Sequence, residues 1–109
     1  MDKILIIDTS SNERTKVGLS MGGKLFWEKQ ESGKLHSQVV LPLIDKILKS
    51  NHITLKNITG IKVNKGPGSF TGIRVGIAIA NALGFALKIP VNGKKVGKIE
   101  TPSYEETSS

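Results

Sequence analysis

Short apolar runs separated by polar turns dominate the first part of the chain. Lys3–Asp8 (KILIID) is apolar at every inner position, which predicts a central strand buried on both faces of a sheet. Residues 15–20 (TKVGLS) and 24–29 (KLFWEK) predict two further strands. Gly22 and Gly23 lie between them and tolerate the positive φ of a two-residue hairpin turn, so these two strands are expected to be antiparallel.

Helical spacing and strand-like runs alternate in the rest of the chain. His36–Ser50 (HSQVVLPLIDKILKS) repeats apolar residues every three or four positions, which predicts a first helix. Residues 58–64 predict a fourth strand, and residues 70–88 predict a longer second helix that ends before Pro90. Residues 89–91 then predict the start of a fifth strand.

The predicted order of elements is β-β-β-α-β-α-β. Three antiparallel strands followed by αβ units indicate an α/β fold, with helices packed on a mixed five-stranded sheet. This arrangement resembles a single ribonuclease H-like lobe, which we place at residues 1–93. Residues 94–109 form a polar C-terminal tail, which we expect to be flexible unless it docks on a partner.

The second predicted helix has no polar face. On a helical wheel one side carries Val75, Ala78, Ile79 and Ala82, and the opposite side carries Ile73, Ile77, Ala80 and Leu87. A helix that is apolar all round is buried all round. A domain of five strands and two helices covers only one side of it, so the pattern predicts that a partner covers the other.

Small residues recur every four positions along one ridge of this helix: Gly72, Gly76, Ala80 and Gly84. Such a ridge lets another helix approach closely, and the alternative is that it packs on the sheet or on the first helix. The first helix also has a broad apolar arc. We therefore predict that the two helices form a protein–protein surface for a second copy or a related partner. The predicted interface residues are His36, Val39, Leu43, Gly72, Ile73, Gly76, Ile77, Ala80 and Gly84.

A glycine-rich turn (GPGSFTG, residues 66–72) precedes the second helix. It lacks the Lys-Ser or Lys-Thr of a P-loop and the spacing of a dinucleotide-binding turn. Free N–H groups at a helix start can hold an anion, which makes Asp8, Gly68, Ser69 and Thr71 weak anion-site candidates. The commoner uses of such residues are helix capping by Ser69 or Thr71 and ordering of a turn by Asp8.

The composition limits which partners and cofactors the chain is expected to bind. The 109 residues indicate one domain, and the net charge of +7 favours an anionic partner such as RNA. The lysines are dispersed, with only Lys94, Lys95 and Lys98 clustered, so a solvated surface is the alternative. The chain has no cysteine and two histidines without metal-ligand spacing, so we expect neither a metal nor another cofactor.

The location follows from the apolar segments. The N-terminus (MDKILIID) lacks the pattern of a signal peptide. The longest apolar stretch, residues 75–91, is interrupted by Asn81 and Lys88, so we expect no membrane span. The expected compartment is the cytoplasm.

Three segments resemble the TsaB (YeaZ) family. They are IDTS at residues 7–10, HSQVVLPLI at residues 36–44 and GPGSFTGIRVGIAIANALGFAL at residues 66–87. The third is long and specific, and the first two occur in the expected order. The resemblance covers the chain from about Ile4 to Asn92 and matches the N-terminal lobe of the family, which normally has a second lobe.

The resemblance implies a bacterial protein with the fold of the actin-like ATPase superfamily and no working active site. Members of the family pair through the two helices of this lobe with the paralogous TsaD, which transfers a threonylcarbamoyl group to N6 of the adenosine beside the tRNA anticodon. A TsaE-like ATPase joins the pair. The implied function is thus that of a non-catalytic scaffold subunit in tRNA modification, with only indirect contact to tRNA.

Two alternatives stay open. One is an actin-like ATPase or phosphotransferase fragment that uses Asp8 and the turn at residues 66–72. The other is a stand-alone homodimer, since bare apolar helices favour self-association. No pair of nucleophile and base is evident, and His36 is expected to be a helix cap or an interface residue.

Overall fold

The computed structural model describes residues 1–103. The strands are β1 (Lys3–Asp8), β2 (Arg14–Met21), β3 (Lys24–Glu31) and β4 (Gly60–Val63). The helices are α1 (His36–Ser50) and α2 (Phe70–Leu87), and a single 3₁₀ turn, Leu55–Asn57, precedes β4. The bounds of β1 and α1 agree with the prediction, and α2 ends one residue earlier than predicted.

The four strands form one mixed sheet in the order β3-β2-β1-β4. The central strand β1 runs antiparallel to β2 and parallel to β4. Ile7 on β1 is opposite Val17 on one side and Val63 on the other, and all three are buried. α1 packs on β2 and β3, while α2 packs on β4 and β1. The α/β class with a mixed sheet and two helices is therefore as predicted.

The predicted fifth strand is reduced to one isolated bridge between Val91 and Ile61. The reason is the side chain of Asn92, which takes the place of a strand backbone beside β4. Its Oδ1 accepts from the N–H of Val63 at 2.8 Å, and its Nδ2 donates to the Val63 carbonyl at 3.1 Å. The backbone of Asn92 adopts positive φ and turns away, so the ladder stops at this residue. A sheet of four strands, rather than five, is the result within residues 1–103.

The ridge of small residues on α2 faces inward. A Cβ at Gly72 would meet the carbonyl oxygen of Thr9, and one at Gly76 would meet the Thr9 hydroxyl, both closer than the 3.0 Å that real Cβ atoms respect. Gly84 stands in the same relation to the side chain of Val91. The Thr9 hydroxyl also donates to the carbonyl of Gly72. The ridge therefore lets α2 lie directly against the end of β1, which is the alternative that the sequence left open.

α2 is long and apolar enough to cross a membrane by length and composition, the one such helix among residues 1–103. A third of it is buried inside this fold. Since a core helix of a globular protein passes the same test, the packing of α2 on β1 and β4 accounts for its inner face and leaves the outer face to be explained.

Gly76→Ala is expected to destabilise the fold by about 1–3 kcal/mol, because the new methyl group would overlap the Thr9 hydroxyl. The direction of this change in stability is informative, since alanine in place of glycine normally stabilises a helix by about 1 kcal/mol. The free energy of unfolding in urea measures the change. Ala82→Leu, an enlargement on the exposed side of the same helix, is the control and should leave that free energy nearly unchanged. Equal stability of Gly76→Ala and the parent chain would contradict the inward placement of the ridge.

Candidate functional site

The residues predicted to form the partner interface lie inside the lobe. His36, Val39, Leu43, Ile73, Ile77 and Ala80 are buried within this chain, as are the three glycines Gly72, Gly76 and Gly84. They pack on the sheet and on each other, so they are unavailable to a partner of the folded lobe. The apolar pattern of α2 is the same on both sides, so the sequence did not distinguish the side that packs on the sheet from the side that faces outward, and the interface itself stays a prediction.

The outer face of α2 is exposed and has few polar groups. We define it as the exposed or half-exposed residues Phe70, Thr71, Arg74, Val75, Ala78, Ile79, Ala82, Phe85 and Ala86. The side chain of Phe85 is 78% exposed, and the guanidinium of Arg74 lies 5.2 Å from the ring centre of Phe70. The prediction that one side of α2 requires a cover thus fits this face, with different residues.

α1 contributes less apolar surface. Its half-exposed residue Leu41 borders a groove of about 340 Å³ that continues along Ile53 and Leu55. Asp45 and Lys49 form an ion pair at the edge of this groove, with 3.0 Å between their charged atoms. The exposed apolar surface of α1 is thus limited to Leu41 and a groove with a polar rim.

Asp8 is held by its own neighbours. Its Oδ1 accepts hydrogen bonds from the Ser10 N–H at 2.9 Å, the Ser10 hydroxyl at 2.6 Å and Asn64 Nδ2 at 3.3 Å. Burial alone raises the pKa of Asp8, but the bonds from Ser10 and Asn64, together with the charge of Lys16, bring that pKa below its ordinary value. A carboxylate that stays charged beside the glycine turn disfavours an anion there.

The glycine turn uses its donors internally. The N–H of Ser69 donates to the Ser10 carbonyl at 2.9 Å, and the Ser69 hydroxyl accepts from the Gly72 N–H at 3.2 Å, which caps α2. Gly68 packs so closely on Ser10 that a Cβ would lie 2.8 Å from its side chain. Thr71 is exposed on the first turn of α2. Capping by Ser69 is confirmed. The groups that could bind an anion here are mainly the N–H groups at the start of α2.

His36 is buried and is not a helix cap. The residue before it, Leu35, occupies the capping position of α1, without a side-chain hydrogen bond. His36 Nδ1 lies 2.6 Å from the hydroxyl of Thr15, which lies 2.9 Å from the hydroxyl of Ser32. The Ser32 hydroxyl donates in turn to the carbonyl of Gly33. Nε2 has no hydrogen-bond partner among the described residues, and no carboxylate among them is bonded to this ring to make it a base.

The part of the predicted tail within the described residues contacts the lobe through Glu100. The Glu100 side chain is only 1% exposed. Its carboxylate accepts from Asn92 Nδ2 at 2.7 Å and from the Thr101 N–H at 2.9 Å, and it lies 3.8 Å from the ammonium group of Lys65 and 3.7 Å from that of Lys94. Residues 104–109 lie outside the described residues.

The main chain of Glu100 is bound as well. Asn81 on α2 donates to its carbonyl at 2.9 Å and accepts from its N–H at 2.8 Å. We call this pair of bonds the Asn81–Glu100 clamp. Sequence reasoning missed it, although Asn81 is the one polar residue in the middle of an otherwise apolar helix and was a usable signal.

Burial alone raises the pKa of Glu100, but the bonds from Asn92 and the Thr101 N–H and the charges of Lys65 and Lys94 outweigh it and lower that pKa. A carboxylate whose pKa is lowered by folding stabilises the folded state at pH above its ordinary pKa, and the stabilisation is lost as the pH falls through the lowered value. The docking of residues 100–103 is therefore expected to weaken in acid.

The described residues contain no cluster of three or more His, Asp or Glu side chains that could hold a metal ion.

Charge is distributed unevenly along the chain. Between Asp45 and Glu100 every charged residue is a lysine or an arginine, and this stretch includes all of α2. α2 and the segments next to it in sequence therefore carry no acidic side chain, which a count over the whole chain does not reveal.

Comparison with known proteins gives the context of this site. The family described as "TsaD: tRNA N6-adenosine threonylcarbamoyltransferase" matches residues 29–94. The "tRNA threonylcarbamoyladenosine biosynthesis protein TsaB" of Buchnera aphidicola subsp. Schizaphis graminum is 40% identical over 92 residues, which is 84% of this chain and 43% of that relative. The Escherichia coli K12 protein of the same name is 35% identical over 91 residues, 84% of this chain and 39% of that protein.

A solved structure shares the architecture. "YeaZ from Pseudomonas aeruginosa" superposes with a TM-score of 0.80 at 33% identity, over 87% of this chain and 44% of that one. The mixed sheet and two helices of this chain are thus arranged as in an α/β protein of the YeaZ type. The chain belongs to the TsaD family and, within it, to its TsaB (YeaZ) members. It spans less than half the length of these relatives.

Glu100→Gln is expected to speed hydrogen exchange of the Thr101 N–H about fivefold at neutral pH, because a bond to a charged acceptor is worth about 1 kcal/mol more than a bond to a neutral one. The ratio of the two proteins' exchange rates should fall towards one as the pH drops below the ordinary range of a glutamate, since the parent side chain then also becomes neutral. Glu31→Gln, in an exposed ion pair, is the control. A ratio that does not change with pH would contradict the assigned role of the charge.

Proposed function

We propose that the chain is a non-catalytic partner subunit of a TsaD-like enzyme in the formation of N6-threonylcarbamoyladenosine in tRNA. The observation that carries the proposal is the outer face of α2, which is apolar, exposed and left uncovered by the lobe. Family membership supplies the class of partner, because TsaB and TsaD are names of proteins in the same modification. In this proposal the outer face of α2 binds the enzyme, and the exposed Leu41 adds apolar surface from α1.

A scaffold role accounts for the chemical groups better than catalysis does. The Asp8 carboxylate is bonded on Oδ1 by Ser10 and Asn64. His36 is buried, and its bonds lead only to hydroxyl groups and a backbone carbonyl. A general base or nucleophile needs an accessible atom near a reacting group, which the buried ring of His36 does not offer, and three hydrogen bonds already engage one oxygen of Asp8. The chain would act by holding the enzyme in its active arrangement.

One observation favours a second function. A depression of about 390 Å³ lies beside Asp8, Asn64 and Asn92, at the carboxyl ends of β1 and β4. Ligands of open α/β sheets bind in this position, and proteins of the actin-like ATPase superfamily, to whose lobe this fold conforms, place a nucleotide there. The alternative function is therefore an actin-like ATPase or phosphotransferase fragment. ATP binding by calorimetry, lost in Asp8→Asn, would support it over the scaffold.

Further parts of the proposal follow from membership of the family. The chain would work in the cytoplasm, where tRNA is modified. A TsaE-like ATPase would join the complex of the two proteins, and contact with tRNA would be made mainly by the enzyme. A homodimer of this chain through the same face is the competing assembly. Light scattering on the chain alone and mixed with the TsaD-like enzyme of its genome separates the two.

Phe85→Glu is expected to weaken binding to the TsaD-like enzyme at least about 30-fold, because it places a charge in an apolar contact and removes the most exposed aromatic side chain of the outer face. The dissociation constant from calorimetry, and the rate of tRNA threonylcarbamoylation by the enzyme with each variant, measure the effect. Phe85 is 78% exposed, so the variant should fold normally.

Leu25→Glu is the matched control, since Leu25 is 55% exposed on β3, away from α2, and the same change there should leave binding intact. Undiminished binding of Phe85→Glu would place the interface elsewhere. Failure of the parent chain to bind the enzyme at all would reject the proposed function.

A further inference from the structure

The sheet has a second face, which neither α1 nor α2 covers. Glu28 of β3 forms an ion pair with Lys46 of α1 at 3.3 Å, so the residues directly before and after Glu28 point away from the helices. On this side Trp27 is 45% exposed and Leu25 is 55% exposed. We call it the open face of the sheet and define it by its central residues Ile6, Lys16, Gly18, Trp27, Lys29 and Lys62.

The register of the sheet places four of these residues in one row. Gly18 pairs with Ile6 on one side and with Trp27 on the other, and Lys62 is opposite Ile6 on the far side of β1. Because neighbouring strands are about 4.8 Å apart, the row is about 14 Å long. Four-stranded sheets of this width are the surfaces on which a common class of RNA-binding domain stacks two or three bases.

The ring of Trp27 packs directly on Gly18. A Cβ at Gly18 would lie 2.8 Å from Cζ3 and 2.9 Å from Cε3 of Trp27, so a larger residue would displace the ring. Glycine inside a strand weakens the strand and often marks a position where another group approaches closely. The ammonium group of Lys16 lies 5.4 Å from the centre of the ring. The aromatic side chain is therefore supported by the sheet, with a cation beside it.

The accessible charges of the open face are basic. Lys29 and Lys62 are exposed, and within residues 1–103 neither forms an ion pair. The acidic groups of the same face already have partners. Glu31 is paired with a neighbouring arginine at 3.1 Å, and one oxygen of Asp8 accepts three hydrogen bonds. A ligand of this face thus meets an aromatic ring among cations, which favours an anion that also has flat apolar groups.

We propose that the open face binds single-stranded RNA, with a base stacked on Trp27 and neighbouring phosphates bound by Lys16, Lys29 and Lys62. Single strands are bound by this combination, since aromatic rings stack on the bases while lysines neutralise the backbone. A double helix keeps its bases inside and offers only its backbone and groove edges. The unpaired loops and the 3′ end of a tRNA have the required chemistry. The inference goes beyond the proposed function, which uses the outer face of α2 and leaves RNA contact mainly to the enzyme.

A protein is the less favoured occupant of this face. Protein interfaces are depleted of lysine at their centre and keep charged groups at the rim, whereas here Lys16 lies beside the ring itself. A second copy of the chain is also disfavoured. A two-fold dimer through the open faces would bring the unpaired lysines of both copies together, at a cost in free energy.

The whole chain provides a direct readout, because Trp27 is its only tryptophan. Titration with a single-stranded RNA of about twelve nucleotides at low salt is expected to quench the Trp27 emission, since the base stacks on the ring. The same RNA with a fluorescein label gives the dissociation constant by anisotropy. Unlabelled tRNA should displace it, and an RNA duplex of the same length should displace it at least about fivefold less well.

Trp27→Ala is expected to weaken binding of this RNA about tenfold, because it removes the stacking ring. Trp27→Phe keeps an aromatic ring on Gly18 and should stay within about threefold of the parent chain. Circular dichroism checks that both variants fold. If Trp27→Ala does not fold, the quenching of the parent chain and the lysine variants below decide the question.

Lys29→Glu with Lys62→Glu is expected to weaken binding about tenfold and to reduce the salt dependence by about one to two phosphate contacts. Lys88→Glu with Lys98→Glu is the matched control. It changes the net charge equally at exposed positions on the helix side, where Lys88 follows α2 and Lys98 lies beside its last turns. The control should alter the affinity less than about threefold.

The inference is overturned if the parent chain does not bind the single strand, or binds it without a change in Trp27 emission. Equal losses in the two lysine pairs, or equal competition by duplex and single strand, would also overturn it. Loss of binding to the TsaD-like enzyme in Trp27→Ala, without RNA binding by the parent chain, would make the open face a protein surface instead. These measurements on RNA need no enzyme, so their failure leaves the proposed function standing, and failure of the enzyme to bind leaves them valid.

Discussion

The close contact between α2 and the end of β1 determines how the rest of the lobe is arranged. Thr9 follows β1 directly, is fully buried, and lies between two glycines of α2. A side chain at either glycine would push the helix away from the sheet. With the helix held this close, Ile73 and Ile77 reach the core and the opposite side of α2 is turned outward. The packing that stabilises the fold and the exposure of the apolar outer face of α2 therefore have the same cause.

The same contact explains what could be predicted from the sequence. Strands and helices can be predicted from residues that are close together in sequence. A continuous apolar run predicts β1, helical spacing predicts α1, and an apolar stretch between a serine cap and Pro90 predicts α2. The assignment of α2's two sides is not local. Val75 and Ile73 are both apolar and branched, and only the position of Thr9, distant in sequence, decides that Ile73 points inward. The ridge of glycines was recognised correctly as a close contact, and the sequence left open whether its neighbour was a partner or the lobe itself.

The C-terminal region shows a second limit of sequence reasoning. Polar composition predicted a tail that is flexible unless it docks on a partner, and Glu100 within it is among the least exposed residues of the described chain. Its burial depends on an amide from α2 and on lysines from two different loops, none of which a composition argument connects. By contrast, the absence of acidic residues between Asp45 and Glu100 is plain in the sequence and was hidden only by averaging charge over the whole chain.

The side chain of Asn92 has an effect on the sheet as a whole. By bonding both backbone groups of Val63, it occupies positions where a neighbouring strand would otherwise pair with β4. The other outer strand, β3, carries charged residues at Lys24 and Lys29, which discourage strand pairing between molecules. Growth of the sheet from one molecule into the next, the common route to fibrous aggregates, is thus hindered at both edges. A lobe with so much exposed apolar surface is thus protected against one of the routes by which such surfaces lead to aggregation.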